Sequence, residues 1–308
     1  MRLVAALAGG VGAARLLRGL VHVIPPEKLV IIGNTGDDVE FYGLHISPDL
    51  DILMYTLAGI VDETRGWGVS GDTFNCLEKL GKLDFETWFK LGDKDLAIHI
   101  VRTKFLNEGI TLSEATRQLC QRLGVKAKLV PMTDDRVSTK IISGDLRLDF
   151  QEYFVKRKTE DMVTEVVFEG ADKAQPAPMV VEVLKEAEKV IICPSNPILS
   201  VSPMLSIPKI NATLKKTGAY IVAVSPIVGG KALKGPADRI MASMGLEVSA
   251  HGVAEFYKDF LDHIVIDEVD KHQKKRIEAI GIKVTVADTI MKSLEDSIRL
   301  AKIVLNAQ

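Results

Sequence analysis

The sequence is poor in the residues that hold structural metals or crosslink secreted domains. It has only three cysteines, Cys76, Cys120 and Cys193, which lie far apart and form no CxxC pair. That spacing argues against a zinc site and a secreted disulfide framework, and it is typical of a protein from a reducing compartment. The HExxH and GxSxG motifs are also absent, so a zinc protease or a serine hydrolase has no residues to support it.

An excess of one charge and a long apolar run are missing too. The 308 residues contain 39 Lys and Arg against 41 Asp and Glu, a net charge of -2, so no global field attracts nucleic acid or an anionic membrane. No apolar run reaches the roughly 18 residues of a membrane span. Glycines follow the apolar start too soon for a signal peptide. We expect a cytoplasmic protein that binds small molecules, without a nucleic-acid or membrane partner.

Short apolar runs that alternate with helical patterns are what the sequence does have. It opens with an apolar run, a glycine turn and a helical pattern from Ala14 to Val21, and "KLVIIG" supplies a second buried strand. The alternation resumes after residue 175 and closes with a helix over about 290–305. Such buried strands predict a Rossmann-like, doubly wound α/β fold with a mostly parallel sheet.

The middle of the chain departs from this alternation in two places. The pattern from Asp84 to Leu123 predicts a helical layer. Residues 126–175 change to a two-residue period, which predicts a small antiparallel β insertion. No repeat or linker is evident, so we interpret residues 1–308 as a single domain that contains this insertion.

The first loop has the composition of a phosphate-binding turn. Gly9-Gly10-Val11-Gly12 lies between strand and helix, where backbone N–H groups can hold an anion. Arg15 stands where a GxGxxG motif has its third glycine, and the lysine of a P-loop is absent. Neither a standard dinucleotide enzyme nor a P-loop NTPase is therefore indicated, and a tight turn without a ligand is the alternative.

Two later segments, here called strand exits, also directly follow the carboxyl end of a predicted strand. Asn34 and Thr35 leave the second strand and could contact a phosphate or a sugar, whereas Asp37 and Asp38 could instead be ordinary solvated carboxylates. The segment Ser195-Asn196-Pro197 follows another apolar run. Its serine could cap a helix and its N–H groups could face a phosphate.

Two carboxylates stand at the start of a predicted helix. Ser47 and Pro48 are a favourable N-cap and first helical residue, and Asp49 and Asp51 follow in the first turn. Residues two apart on a regular helix point about 200° apart, so both cannot face one point. One could serve the helix dipole while the other faces a cation or a substrate hydroxyl, and pure capping is the alternative.

Two charged loops are weaker candidates. Lys90 lies just before a glycine break and could present its ammonium into a cleft, but a charged run is usually a solvated face, and a lone His99 is more often structural. The loop Gly229–Gly235 carries Lys231 and Lys234. It suits an anion equally well as it suits a long surface turn.

Taken in order, these motifs resemble the CofD family of 2-phospho-L-lactate transferases. The glycine loop and the Asn34-Thr35 exit precede "ISPDLDILMYTL", a Gly66-Trp67-Gly68 loop, "GDTF" and "KLGDKDLAIH". The set continues with "PMTDD", "PSNPI", "AVSPI", "KGPA" and "GVAEFY" and reaches about Asp262. Each motif is short, but the ordered set is specific.

The resemblance implies a transferase of coenzyme F420 biosynthesis. Such an enzyme would bind a guanosine diphospho-linked donor and the deazaflavin Fo, with Mg²⁺ assisting. It would move a 2-phospholactyl-type group, or its enolpyruvyl analogue, to the ribityl hydroxyl of Fo, and it would release GMP and form F420-0 or dehydro-F420-0. We expect a homodimer.

The resemblance also suggests roles for individual residues. Asp51 and Lys90 would contact Fo, and Asp51 is the catalytic candidate, either as a magnesium ligand together with Asp49 or as the group that orients and deprotonates the hydroxyl. Replacing Asp51 by Asn should then depress transfer and leave the fold intact. The nucleotide phosphates are assigned to the glycine loop and the strand exits, namely Gly9, Gly10, Gly12, Asn34, Thr35, Ser195, Asn196 and Pro197.

Two other functions remain as alternatives. A CofD-like regulatory protein of the YvcK type would bind a nucleotide sugar without transferring it, although the SPDLD segment and the Trp67 loop favour the transferase. An NAD(P)-dependent oxidoreductase is disfavoured by Arg15 and by Asn34 at the end of the second strand.

Overall fold

The computed structural model describes residues 3–308. The strands in this part of the chain are β1 (Val4–Ala8), β2 (Leu29–Gly33), β3 (Val39–Phe41), β4 (Leu44–Ile46), β5 (Lys128–Pro131), β6 (Ser138–Ser143), β7 (Leu146–Asp149), β8 (Glu165–Glu169), β9 (Lys189–Ile192), β10 (Tyr220–Val224), β11 (Ile227–Val228), β12 (Lys231–Ala232), β13 (His263–Asp267) and β14 (Lys283–Ala287). The helices are α1 (Gly10–Val23), α2 (Pro48–Leu57), α3 (Asn75–Gly81), α4 (Asp93–Asn107), α5 (Leu112–Arg122), α6 (Val180–Glu186), α7 (Ser202–Leu205), α8 (Pro208–Leu214), α9 (Ala237–Ser243), α10 (Ala250–Phe256), α11 (Lys274–Glu278) and α12 (Leu294–Asn306).

A parallel sheet of seven strands forms the centre of the molecule. Its order is β14-β13-β10-β9-β1-β2-β5, and β1 pairs in parallel with β2 on one side and β9 on the other. All five residues of β1 and all five of β2 are buried. This explains why the strands are continuous apolar runs, because both faces of the sheet are covered.

The two faces of the sheet carry separate cores. Ala5 and Leu7 of β1 face a cluster that includes residues of α6, α8, α10 and α11, whereas Ala6 faces a cluster that includes residues of α1, α2, α5 and α12. Gly19 lets α1 approach α12 closely, since a Cβ there would overlap the carbonyl oxygen of Ser297. Helices on both faces confirm the predicted doubly wound α/β fold.

The order of the strands reverses between β1 and β9. The chain moves outward from β1 through β2 to β5, and it later returns to the other side of β1 and continues through β9, β10, β13 and β14. In open α/β sheets ligands bind at such a switch point, beyond the carboxyl ends of the strands. The loops that follow β1 and β9 are the glycine loop and the Ser195-Asn196-Pro197 turn.

The antiparallel sheet is smaller than the segment 126–175 that the sequence suggested for it. Its strands have the order β7-β6-β8 and begin at Ser138. The segment Lys128–Pro131 is instead an edge strand of the parallel sheet, paired with β2. There Leu129 packs on one face and Val130 on the other, so the apolar residues of this strand serve the main core.

The helical layer also begins later than the sequence pattern predicts. The helix α4 starts at Asp93, whereas Asp84 has a φ of 62°, a left-handed conformation that a helix cannot contain. The hairpin of β3 and β4 packs beside this layer through Ile46, Leu91 and Leu96. Across residues 3–308, no helix has the length and apolarity that crossing a membrane requires.

Candidate functional site

The glycine loop packs against two neighbouring segments so closely that side chains are excluded. A Cβ on Gly9 would lie 2.5 Å from Oδ2 of Asp49, and one on Gly12 would overlap the carbonyl oxygen of Pro194. Gly10 has a φ of 74°, which glycine adopts without strain. The loop after β1 thus meets both the start of α2 and the exit of β9, and the first turn of α1 lies at this junction.

Asn34 ties the second strand exit to the same junction. Its Nδ2 donates to Oδ2 of Asp49 at 2.9 Å and its Oδ1 accepts from the Gly36 N–H at 2.9 Å. The side chain is completely buried. Thr35 is also buried, and its Oγ1 has no hydrogen-bond partner among the described residues.

The exit of β9 reaches the glycine loop through a serine. The Ser195 hydroxyl donates to the carbonyl oxygen of Gly9 at 2.9 Å. Asn196, and not Ser195, caps the following helical segment: its Oδ1 accepts from the N–H groups of Ile198 and Leu199 at 3.0 and 3.2 Å. Pro197 follows as the first residue of the helical segment. The structure therefore brings the three predicted strand exits together.

Two buried carboxylates and one largely buried carboxylate surround this junction. Asp37 and Asp49 are 5% and 8% exposed, and the Asp38 side chain is 11% exposed. Asp38 accepts from the Ser47 hydroxyl at 2.8 Å and lies 2.9 Å from Nε2 of His45. The hydroxyl of Ser47 thus binds Asp38 and does not cap α2. Asp37 and Asp38 are not the solvated loop carboxylates that the sequence allowed.

The burial of these carboxylates raises their pKa values. Burial raises the pKa of Asp37 well above its usual value, and the nearby Asp49 charge adds to the increase. Burial and the Asp38 charge raise the pKa of Asp49 to about 6, against the opposing effects of Asn34 and the Gly10 N–H. Burial also raises the pKa of Asp38, although His45 and Ser47 oppose it. A cation bound here would relieve this repulsion.

Several buried polar atoms at this junction have no partner among the described residues. They include Thr35 Oγ1, Asp37 Oδ1, Asp38 Oδ1, Thr139 Oγ1 and Asn196 Nδ2. Buried polar groups are normally hydrogen-bonded, and leaving one unpaired costs about 1–3 kcal/mol. Such atoms grouped beside a glycine loop are typical of a ligand site, where the ligand supplies the missing partners.

Asp51 lies in a different environment from Asp49. Both of its oxygens accept from the Arg102 guanidinium, with Nη1 to Oδ2 at 3.1 Å. Arg102 and His99 are each 1% exposed, and Nδ1 of His99 is 3.7 Å from Oδ2 of Asp51. Although burial opposes its charge, the Asp51 carboxylate raises the pKa of Arg102. The opposite directions of Asp49 and Asp51 agree with the spacing argument from the sequence.

The sequence did not single out Arg102, but a signal for it exists. Asp95, His99 and Arg102 recur at intervals of four and three residues, which places them on one face of α4. In the structure Nε2 of His99 is 3.1 Å from Asp95, and the Tyr55 hydroxyl donates to Asp95 at 2.5 Å. These polar residues join α2 to α4 in a buried network.

Lys90 is exposed and takes no part in this network. It follows an aromatic cluster formed by the β3–β4 hairpin and residues 85–89. The ring centroids of Phe41 and Trp88 are 5.0 Å apart, and those of Phe41 and Phe89 are 5.7 Å apart. The Lys90 ammonium can therefore reach solvent beside an aromatic surface.

A groove of about 670 Å³ lies elsewhere in the molecule. Its lining includes Leu3, Val30 and Lys128 at the amino ends of the central strands. Because the predicted ligand-binding residues lie at the carboxyl ends, this groove is separate from them. Within residues 3–308, no group of three or more His, Cys, Asp or Glu side chains is arranged to hold a metal ion.

The fold and the site together define an α/β protein whose glycine loop meets the segments that follow β2 and β9 at the topological switch point. The family model for 2-phospho-L-lactate transferase CofD matches residues 4–303. The chain therefore belongs to this family, as its motifs predicted, and the family's assignment to transferases confirms the prediction of an enzyme.

Curated relatives cover nearly the whole chain. A 2-phospho-L-lactate transferase of Methanosarcina mazei is 40% identical over 97% of this chain and 98% of its own length. The corresponding protein of Methanocaldococcus jannaschii is 44% identical over 96% of this chain and 95% of its own. A phosphoenolpyruvate transferase of Streptomyces avermitilis is 41% identical over 98% of this chain and 96% of its own.

A solved structure has the same fold at much lower identity. It is a member of the UPF0052 family from Bacillus halodurans, with a TM-score of 0.64, 16% identity and coverage of 99% of both chains. At this identity the likeness concerns the fold alone.

Proposed function

We propose that this protein transfers a 2-phospholactyl-type group from a guanosine diphospho-linked donor to the ribityl hydroxyl of Fo and releases GMP. The hydroxyl oxygen attacks the phosphorus that carries the lactyl-type group, the new P–O bond forms, and the bond to the GMP phosphate breaks. The hydroxyl proton passes to a base. The product is a phosphodiester, F420-0 or its dehydro form.

The observation that carries this proposal is the group of buried polar atoms around the glycine loop that have no partner within residues 3–308. Thr35 Oγ1 and Asn196 Nδ2 are suited to hydrogen-bond phosphate or sugar oxygens, and both lie where three strand exits meet. The N-terminus of α1 adds N–H groups and its dipole. Together these groups would hold the diphosphate of the donor, with Gly9, Gly10, Gly12, Asn34, Ser195 and Pro197 shaping the cradle.

The carboxylates fit Mg²⁺ as an assisting ion. Magnesium prefers oxygen ligands and is usually held by one or two carboxylates together with substrate phosphates. Asp37 and Asp49 supply such carboxylates, and their mutual repulsion would be relieved by a cation. The site lacks a complete set of protein ligands, which suits sharing with the donor. When bound, the ion would neutralise charge on the phosphates and the leaving group.

The chain's own residues orient the reactants in this proposal. Asn34 donates to Asp49 and fixes the direction of that carboxylate. Asp38, beside His45, is a candidate acceptor for the hydroxyl proton, since its raised pKa improves it as a base. Asp51 stabilises the start of α2 through Arg102. Each of its oxygens keeps a second lone pair to which a hydroxyl of Fo can donate, so its contact with Fo stays a prediction.

The acceptor would lie on the aromatic side of the site. Fo carries a flat ring system, and the cluster of Phe41, Trp88 and Phe89 offers faces and edges against which such a ring can pack. The adjacent Lys90 would then contact a polar edge of the ring. The predicted contact between Lys90 and Fo is therefore part of the proposal.

Product analysis by mass spectrometry tests the proposal directly. Purified protein is incubated with Fo, Mg²⁺ and either the phospholactyl or the enolpyruvyl donor, and the masses of the products identify both the reaction and the donor. Relatives named for phospholactate and for phosphoenolpyruvate are about equally similar to this chain. Both donors are therefore required.

Binding without transfer would favour the alternative. A nucleotide sugar that binds while Fo fluorescence stays unchanged would support a YvcK-type regulatory role and contradict the transferase. Fo binding and formation of the phosphodiester support the proposal. We also propose a homodimer, which multi-angle light scattering tests by a mass of about twice 33.7 kDa.

A further inference from the structure

A lysine from a distant loop lies close to the glycine loop. The Lys234 Nζ lies 2.7 Å from the position that a Cβ on Gly66 would occupy, and Cγ1 of Val11 lies 3.9 Å from the same position. Gly66 has a φ of 78°, so the chain there both turns and leaves room for the ammonium. The loop around Gly66 and the loop around Lys234 therefore converge on Val11 in the glycine loop.

A second cation accompanies this lysine. Arg15 lies one helical turn after Val11 on α1, so the two side chains share a face of the helix. Consistent with this placement, its charge adds to the effect of partial burial in lowering the pKa of Lys234. The Arg15 guanidinium donates to the Met291 carbonyl oxygen at 3.1 Å. Neither cation forms a salt bridge among the described residues.

The acidic residues just before Gly66 in its loop are already paired. Asp62 binds Arg65 at 2.8 Å, and Glu63 binds Arg18 at 3.0 Å. Two cations held near each other without a counter-charge repel each other. Such an arrangement is favourable when an anion lies between them.

We propose that Arg15 and Lys234 form an anion subsite beside the glycine loop, which holds a charged group of the donor, either a phosphate or the carboxylate of the transferred group. The subsite lies on the side of the loop that faces Gly66, whereas Asp49 lies against Gly9 and Gly10. The glycine loop thus has cations on one side and carboxylates on the other. This inference rests on the proposed function for the identity of the donor.

Substitution of Lys234 tests the subsite, since this side chain is exposed and its loss leaves the core intact. Lys234→Met, Lys234→Arg and the control Lys231→Met, an exposed lysine of the same loop, are compared by calorimetry with GDP and GMP. The KM for the complete donor is measured with the same proteins. We expect Lys234→Met to weaken at least one of these by about tenfold, with Lys234→Arg within about threefold of the parent and Lys231→Met within about twofold.

The pattern of losses identifies the group that is bound. A loss for GDP alone assigns the second phosphate, equal losses for GDP and GMP assign the first, and a change confined to the KM of the donor assigns the carboxylate. If Lys234→Met changes none of these more than Lys231→Met does, the subsite is wrong. Absence of transfer by the parent protein, with GDP binding still sensitive to Lys234, would overturn the proposed function and leave the subsite standing.

Discussion

Buried polar side chains at the two ends of the central sheet differ in whether they have hydrogen-bond partners. At the carboxyl ends, Thr35, Asp37, Asp38 and Asn196 each have a buried atom without a partner in the described part of the chain. At the amino ends, Nζ of Lys189 donates to three backbone carbonyl groups, those of Val304, Leu305 and Ala307, at 3.3, 2.6 and 2.6 Å.

The neighbouring histidine at the amino end is satisfied as well. Nδ1 of His263 lies 3.2 Å from the Tyr220 hydroxyl and Nε2 lies 2.8 Å from Thr285 Oγ1. Burial, and then the charges of Lys283 and Lys189, lower the pKa of His263 and favour its neutral form. Lys189 and His263 thus have partners within the protein, whereas the four side chains at the carboxyl ends each keep a buried atom that has none among residues 3–308.

The comparison predicts its largest effect at Asp49. Asp49→Asn keeps the shape and an acceptor for Asn34 but removes the charge that would face Mg²⁺ and the donor phosphates. We expect kcat/KM for transfer to fall by about 10³-fold, which corresponds to about 4 kcal/mol. Steady-state kinetics with saturating Mg²⁺ measure this fall.

The matched control is Glu40→Gln, an exposed carboxylate in the neighbouring hairpin. It should retain kcat/KM within about twofold, because a solvated charge contributes little. Activity of Asp49→Asn close to that of Glu40→Gln would show that the unpaired end of the sheet does not hold the reacting phosphates.

Asp51 lies in the same helix as Asp49, but its charge is paired within the protein, so it provides a direct contrast to Asp49. Asp51→Asn leaves the buried Arg102 without its counter-charge, and we expect the free energy of unfolding to fall by about 3–5 kcal/mol. Urea denaturation measures this change. The structure thus revises the expectation of an intact fold.

A surface pair provides the control for Asp51. Glu114→Gln breaks the exposed contact with Arg117 and should leave the free energy of unfolding nearly unchanged, because solvent screens this pair. If Asp51→Asn is no less stable than Glu114→Gln and still loses transfer, then Asp51 acts on the substrate, as the family resemblance suggests.

The sequence predicted the sheet better than it predicted the site. Continuous apolar runs such as that of β1 identify buried parallel strands, because only covered faces require them. The glycine loop was equally clear, since its residues are adjacent in sequence. The pairing of Asp51 with Arg102 spans 51 positions, and the approach of Lys234 to Gly66 depends on two loops, so neither follows from local patterns.

Local sequence patterns also did not show which sheet each strand joins. The segment Lys128–Pro131 lies beside an antiparallel sheet in sequence yet pairs with β2. A two-residue period tells which strands have one exposed face, but it does not tell which strand lies beside which. Tertiary pairing decided this element.

At the paired end, Lys189→Met should reduce stability without affecting catalysis. The methionine retains most of the buried stem, but the last carbonyl groups of α12 lose their donor, and we expect a loss of about 2 kcal/mol in the free energy of unfolding. The value of kcat/KM should change by less than about twofold. Lys185→Met, on the exposed surface of α6, is the control. If kcat/KM falls by more than this while the variant remains folded, the separation of the two ends is contradicted.

The smallest predicted effect concerns pH and the unpaired carboxylates. An acid whose pKa is raised in the folded state destabilises that state above the folded pKa, and the penalty disappears as the pH falls and the group is protonated. With the pKa of Asp49 at about 6, the metal-free protein should gain about 1 kcal/mol between pH 7 and pH 5 from this group, or about 2 °C in Tm. Scanning calorimetry in EDTA measures the difference, and Asp49→Asn should remove most of it, whereas Glu40→Gln should not. A Tm that falls from pH 7 to pH 5 equally in all three proteins would mean that Asp49 is already neutralised by a partner within the chain, and the contrast between the two ends of the sheet would then be lost.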